Sequence, residues 1–335
     1  MEVTTLHICP ATLAEGYDTY SPVGLKRMFD GRKVSHILPY DSPNASGDDV
    51  EKFMENRVRI SISGVQEKMS FVLDNRTLRL TGKEEHGAYI LKPVARDVKK
   101  VGEVPANEHL TMQIARQVFG INTAENALIF FKNGELAYLC KRFDVRADGS
   151  KLRMEDFASL AGLSKENAGP DFKYESSYEE IGLLMRRYVP AWRVEIEKYF
   201  TLVVFNFLFS NGDAHLKNFG LLETTDGDFI LSPAYDLLNT RIHVSDVDFA
   251  LKKSLFADGS RSILWQRTGH PAKTDFYRFG AAIGIAPNRI AKLLAPLLTR
   301  QEKVARLTAN SFLSAPVKQA YLNYYDQKIK QLLRY

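Results

Sequence analysis

Phe205-Asn-Phe-Leu-Phe-Ser-Asn-Gly-Asp-Ala-His-Leu-Lys-Asn218 decides how this 335-residue chain is organised. The apolar run Tyr199 to Phe209 reads as a buried helix, and it breaks into a polar knot of Asn211, Asp213, His215, Lys217 and Asn218. Two strand-like pieces follow, Phe219–Glu223 and Phe229–Ser232, around Thr224-Thr-Asp-Gly-Asp228. Asp-Gly between apolar runs predicts a hairpin, because it supplies the positive φ that a tight turn needs. A turn centred on Asp226-Gly227 pairs residue 225 with 228 and sets Asn218 almost opposite Tyr235. The hairpin is therefore expected to bring the amide of Asn218 to the carboxylate of Asp236, with Asp213 at the same mouth.

Two hard oxygen ligands beside a third, unliganded carboxylate suit magnesium–nucleotide chemistry. Mg²⁺ takes one or two protein oxygens and fills its other positions with phosphate and water. A free aspartate can then orient an attacking hydroxyl and accept its proton. The Asp-x4-Asn spacing of Asp213 and Asn218 equals that of the catalytic loop of protein kinases, where a later metal-binding Asp completes the pattern. Asn and Asp also collect in turns and caps. That reading suffices for Asp213 alone; the three residues together with the hairpin mark a site.

Length permits two lobes. With 45% hydrophobic and 25% charged residues the composition is that of an ordinary globular protein. A net charge of +5, not gathered in one block, allows an anionic partner without demanding one. Cys9 and Cys140 are too few for a disulfide framework or a metal knuckle, and are expected as free thiols in a reducing compartment. No stretch approaches the ~20 apolar residues that cross a bilayer, and the N-terminus lacks a signal pattern. A cytoplasmic protein is expected.

Upstream, His7-Ile-Cys-Pro and Tyr17 to Met28 suggest a short strand and a short helix, and the acidic end of 41–49 can cap a helix near Val50. From Arg57 the apolar period becomes two: Val58, Ile60 and Ile62, then Met69, Phe71 and Leu73. The intervening Ser61-Ile-Ser-Gly-Val-Gln-Glu-Lys68 can offer backbone N–H groups to phosphate, or be no more than a polar bend. Strands are expected at Thr77–Leu80 and Ala88–Leu91, the second running into Lys92-Pro93. Lysine is rarely buried without a partner, so Lys92 is either a phosphate-pairing cation or an exposed edge residue. Val104-Pro-Ala-Asn-Glu108 opens a helix that places Leu110, Ile114, Val118 and Phe119 on one face and stops at Gly120. Glu108 is either the partner of that lysine or a favourable charge at a helix start.

Asn126–Phe131, Asn133-Gly134 and Glu135–Cys140 form a second hairpin signal running into Lys141-Arg-Phe-Asp144. A lobe boundary is placed there, giving an N-terminal lobe of residues 1–144 and a helical C-terminal lobe of 145–335. Helices are expected near Met154–Ala161, Ser177–Tyr188, Trp192–Phe209, Pro287–Leu298, Arg300–Ala309 and Ala315–Leu333, with Ser164 to Ser176 as a mobile loop. The last helix is read as a surface helix with Leu322, Ile329 and Leu333 on its apolar face.

This order of parts resembles the HipA family of bacterial serine/threonine kinase toxins. The matching stretches are Ser61–Lys68, Ile90-Leu-Lys-Pro93, Arg142-Phe-Asp144, Asn211-Gly-Asp-Ala-His-Leu-Lys-Asn218 and Ser232-Pro-Ala-Tyr-Asp-Leu237. The resemblance implies an α+β, protein-kinase-like fold of two lobes, with ATP and Mg²⁺ as cofactors. It implies Asp213 as catalytic base, and Asn218 and Asp236 as Mg²⁺ ligands. On the ATP side it implies Lys92 on the phosphates and the loop Ser61, Ile62, Ser63, Gly64, Val65 and Gln66 over them. Backbone around Lys141 and Phe143 would hold adenine, and His215 and Lys217 are grouped with the same ATP site. The family has glutamate where Lys141 stands, a change that a main-chain contact would survive. Family members autophosphorylate a loop serine, which corresponds to Ser61, with Ser63 as a second candidate.

The phosphate-loop stretch begins at residue 61, earlier than in long HipA proteins. The chain therefore resembles the short HipT form, whose missing N-terminal piece is a separate small protein. That implies a HipS-like small partner and a HipB-like DNA-binding antitoxin, with DNA met only through the antitoxin. The family's substrates are aminoacyl-tRNA synthetases, the tryptophanyl enzyme for HipT forms. Two other readings are carried: a DNA-associated co-repressor whose kinase site is secondary, and a metal-dependent hydrolase using Asp213, His215 and Asp236.

Overall fold

The computed structural model describes residues 6–43, 68–82, 85–94, 98–146 and 148–333. The expected helix near Val50, the strand at Val58–Ile62 and the loop residues Ser61, Ile62, Ser63, Gly64, Val65 and Gln66 lie outside them. The chain divides into two compact units. One comprises Met1–Gln113, Ala124–Ser150 and Arg306–Lys318; the other comprises Ile114–Thr123, Lys151–Ala305 and Gln319–Tyr335.

In the first unit, the alternation of Met69 and Phe71 becomes β1 (Met69–Asp74), followed by β2 (Thr77–Leu80), β3 (Tyr89–Lys92), β4 (Asn126–Phe130) and β5 (Leu136–Lys141). They form an antiparallel sheet in the order β2-β1-β3-β5-β4. Its apolar core joins Met69, Phe71, Leu91, Ala127 and Leu139 to Met28 and Phe29 of α1 (Pro22–Phe29). Two buried tyrosines satisfy their hydroxyls on backbone, Tyr20 on the Leu128 carbonyl and Tyr89 on that of Met28. This lets them fill the core without an orphaned polar atom. Ser21 caps α1 and Pro22 starts it.

The second unit carries a smaller sheet, β6 (Met154–Asp156), β7 (Gly220–Glu223) and β8 (Phe229–Leu231). The helix expected over Met154–Ala161 is corrected here. Residues 154–156 pair with β7, and only Phe157–Leu160 is helical, started by the Asp156 carboxylate on the Ser159 N–H. Partners some sixty residues away outweigh the local pattern.

The register of the Asp226-Gly227 hairpin also differs from expectation. Glu223 pairs with Phe229, and Thr224 N–H bonds the Asp228 carbonyl, so the loop is the three residues 225–227 rather than two. Gly227 takes φ +85° at its end, a position that favours glycine. The Asn133-Gly134 hairpin closes in the same way, with Phe131 N–H on the Glu135 carbonyl and Gly134 at φ +84°.

Among the described residues the longer helices are α1, α2 (Val104–Gln117), α3 (Tyr178–Tyr188), α4 (Trp192–Leu208), α5 (Ile263–Thr268), α6 (Lys273–Ala282), α7 (Pro287–Leu297), α8 (Gln301–Ala309) and α9 (Ala315–Leu333). Helices α5 and α6 add to those expected. Phe276, Phe279 and Ile283, all buried, carry the helical spacing that marks α6. Helix α3 opens on a capping box between Ser177 and Glu180.

The buried face of α9 is also corrected. It presents Val317, Tyr321, Tyr325, Lys328, Ile329 and Leu332, whereas Leu333 is exposed. Lys328 lies inside because Asp248 pairs with its ammonium and the Phe207 ring lies 4.2 Å from Nζ. Asp248 also bonds His270 at 2.6 Å. A lysine enters a core when its charge is compensated in this way. No helix among the described residues is long and apolar enough to cross a membrane.

Candidate active site

In the first unit, β3 carries Lys92 into the interior at 5% exposure. Its Nζ donates to Glu108 Oε1 at 2.7 Å, and both side chains are almost fully buried. The Tyr138 ring lies 5.3 Å from the same Nζ. Of the two readings of Glu108, the structure shows the lysine's partner. Lys141 ends β5 with its ammonium on Asp30 at 2.7 Å. Its N–H bonds the Glu125 carbonyl and that of Arg142 bonds Ala88, so both donors are engaged in pairing. Phe143 follows, half-buried, between Arg142 and Asp144, whose side chains form a two-pronged ion pair.

In the second unit, α4 buries nearly all of its C-terminal half, Tyr199 to Leu208. It ends in a Schellman arrangement: Asn211 N–H bonds the Asn206 carbonyl and Ser210 N–H bonds that of Phe207. Ser210 occupies the left-handed position at φ +54°, which costs a non-glycine residue about 1–2 kcal/mol. The stop is fastened further by Asn211, whose Nδ2 donates to Asn206 Oδ1 at 2.9 Å and to the Asp236 carbonyl at 3.3 Å. Gly212 follows, and a Cβ there would lie 2.3 Å from the Asp246 carboxylate, which packs against it. The next residue is Asp213.

Asn218 and Asp236 meet as the sequence predicts, although the hairpin register differs. Asn218 Nδ2 donates to Asp236 Oδ2 at 3.2 Å, and Asn218 Oδ1 accepts from His215 N–H at 3.1 Å. Tyr235 braces the pair from the next position, donating to the Lys217 carbonyl at 2.8 Å. Asp236 has φ +55°, the left-handed region that clusters at functional sites in non-glycine residues.

The Asp213 carboxylate is about half exposed and accepts from the Tyr174 hydroxyl at 2.8 Å. Burial raises its pKa above the ordinary aspartate range, and the Tyr174 hydrogen bond and Lys173 oppose that shift. His215 is buried with Nε2 3.9 Å from Asp213 Oδ2. Lys217 points to Asp156 at 3.8 Å and to the Phe172 ring.

A divalent cation suits one carboxylate and one amide oxygen, provided that phosphate and water complete its shell. Asp236 and Asn218 offer those groups, and Asn218 would have to turn its amide to present oxygen. No cluster of three or more His, Cys, Asp or Glu side chains among the described residues is placed to hold a metal. The hydrolase reading needs His215 as a ligand beside Asp213 and Asp236.

A family model, the HipA-like C-terminal domain, matches residues 60–305. The chain is a member of the HipA-like kinase family. A protein of Haemophilus influenzae named "Putative kinase" is 24% identical over 336 residues, covering 96% of this HipA-like chain and 95% of its own length. "Putative kinase Y4dM" of Sinorhizobium fredii is 31% identical over 232 residues, 64% of this chain and 54% of that protein. The Shewanella oneidensis HipA, solved in complex with HipB and operator DNA, superposes with a TM-score of 0.63 at 17% identity, over 89% of this chain and 74% of that one. The Helicobacter pylori proinflammatory kinase CtkA superposes at 0.51 with 15% identity, over 77% and 91%. The fold is thus the expected α+β, kinase-like one.

Tyr174 is the site residue that sequence reasoning missed. The segment expected as a mobile loop holds one helical turn at Lys165–Ala168 and a 3₁₀ turn at Phe172–Tyr174, which delivers this hydroxyl to Asp213. The two stand 39 positions apart in sequence, which leaves no local signal.

Proposed function

We propose that this HipA-like chain is a Mg·ATP-dependent serine/threonine protein kinase and the toxin of a toxin–antitoxin pair. The observation that carries the reading is the second-unit cluster: Asn218 on Asp236 at 3.2 Å, and an open aspartate, Asp213, that already binds a hydroxyl at 2.8 Å. Asp213 accepts the proton of the acceptor hydroxyl as its oxygen bonds to the γ-phosphorus of ATP and ADP leaves. Asp236 and Asn218 hold Mg²⁺, which neutralises phosphate charge when bound. Lys92 contacts ATP phosphates, with Glu108 fixing its ammonium. Backbone near Lys141 and Phe143 holds adenine, and His215 and Lys217 complete the ATP side.

The proposal extends to partners. The Shewanella relative sits with HipB on operator DNA, which supports a HipB-like antitoxin here and contact with DNA through it. A HipS-like small protein, a seryl acceptor on an aminoacyl-tRNA synthetase of tryptophanyl type, and autophosphorylation at Ser61 or Ser63 rest on the family resemblance.

Asp236→Asn tests the metal role. Nucleotide affinity measured by calorimetry should lose its dependence on Mg²⁺; an unchanged affinity at each Mg²⁺ concentration would remove Asp236 from the site. The pH profile tests the base. Because folding raises the pKa of Asp213, activity should fall as pH drops through a value above the ~3.9 of an unperturbed aspartate. The profile of kcat/KM, which reports the free enzyme, should show that acid limb; a limb at or below 3.9 contradicts it.

A further inference from the structure

We propose that Tyr174 is a positioning residue for Asp213: its hydroxyl holds carboxylate Oδ1 and so leaves Oδ2 to the acceptor hydroxyl. The inference rests on the reading of Asp213 as the base and adds to it the group that aims it.

Among the described residues, Tyr174 is the sole hydrogen-bond partner of the Asp213 carboxylate, donating to Oδ1 at 2.8 Å. His215 Nε2 lies 3.9 Å from Oδ2, beyond hydrogen-bond distance. One oxygen is therefore held and one is open. A carboxylate on a free χ2 presents either oxygen, and a single anchored donor removes that freedom.

Tyr174 is itself anchored. Its N–H bonds the Asp171 carbonyl at 2.9 Å, and its carbonyl accepts from Lys252 N–H and Ser176 N–H, each at 3.0 Å. The ring meets that of His215 edge-on at 5.3 Å, and the Lys173 ammonium lies 4.9 Å from its centre. A hydroxyl fixed by backbone on both sides acts as a strut, whereas a lid would need a hinge. Burial and the neighbouring Asp213 push the phenol well above its ordinary pKa, so it stays a donor at neutral pH and does not compete as a base. The charged groups that act on this pair are Lys173, Asp171, Asp236 and Asp246, with His215 beside them.

Tyr174→Phe removes the hydroxyl and keeps the ring. Single-turnover transfer from radiolabelled Mg·ATP to the full chain should slow roughly 10–100-fold, with nucleotide affinity unchanged. On an Asp213→Asn background the same substitution should have no further effect, since coupled residues are not additive. A second readout needs no turnover: in the apo protein, the Asp213 carboxyl followed by carbon NMR should titrate at higher pH in Tyr174→Phe, having lost a donor to its charged form. Unchanged or faster transfer overturns the proposal, the latter by showing that the hydroxyl blocks the acceptor's place. If the wild-type chain transfers no phosphate, or Asp213→Asn transfers it at the wild-type rate, the base reading fails instead. The carboxyl titration then decides the strut alone, and an unmoved titration overturns it.

Discussion

Asp213→Asn should lower phosphoryl transfer by about 10²–10⁴-fold, the range supplied by a positioned general base, and leave ATP affinity close to wild type. Asparagine keeps the shape of the side chain and an acceptor oxygen for the Tyr174 hydroxyl, so the loop built by Ser210, Asn211 and Gly212 should persist. What is lost is the proton acceptor. The measurement is transfer under saturating Mg·ATP beside nucleotide binding by calorimetry. Wild-type transfer in the variant sinks the role. A parallel collapse of ATP affinity would instead mean that Asp213 serves binding.

The second large effect is on stability. Glu108→Ala removes the carboxylate from a pair whose side chains are 7% and 3% exposed, leaving the Lys92 ammonium buried without it. Breaking a buried pair from one side costs about 3–5 kcal/mol, because the remaining charge has been taken from water and loses the carboxylate that balances it. Urea unfolding should show a lower midpoint with little change in slope. Replacing both residues, as Lys92→Met with Glu108→Leu, should be far milder, since an apolar pair of similar size has no charge to desolvate. A shift below about 1 kcal/mol for Glu108→Ala would mean that the ammonium finds another acceptor at no cost.

How much of this was legible follows from the range of each interaction. The alternation of Met69 and Phe71 names β1 because period two is a local property. A lysine at the end of an apolar strand and a glutamate near a helix start, 16 residues apart, allow a pair but fit a helix-start charge equally well, and the structure decides for the pair. Asp-Gly and Asn-Gly located both hairpins, but the dipeptide alone leaves open whether glycine closes a two- or a three-residue loop. Both are three-residue loops here, and the register expected for the Asp-Gly hairpin moves by one. Asn218 and Asp236 still meet, because their contact is made beyond the end of β8.

Illegible features depend on distant partners. Met154–Asp156 is a strand because β7 lies beside it. Lys328 is buried because Asp248, 80 residues earlier, takes its charge. Tyr174 joins the site through a 3₁₀ turn that its own sequence does not announce.

The most direct test of the central claim is the intact mass of the purified chain and of its Asp213→Asn variant, before and after Mg·ATP, with the modified peptide mapped. Phosphate gained at Ser61 or Ser63 by the wild-type chain alone is the predicted result. Phosphate gained equally by both proteins, or by neither while ATP is bound, would contradict it.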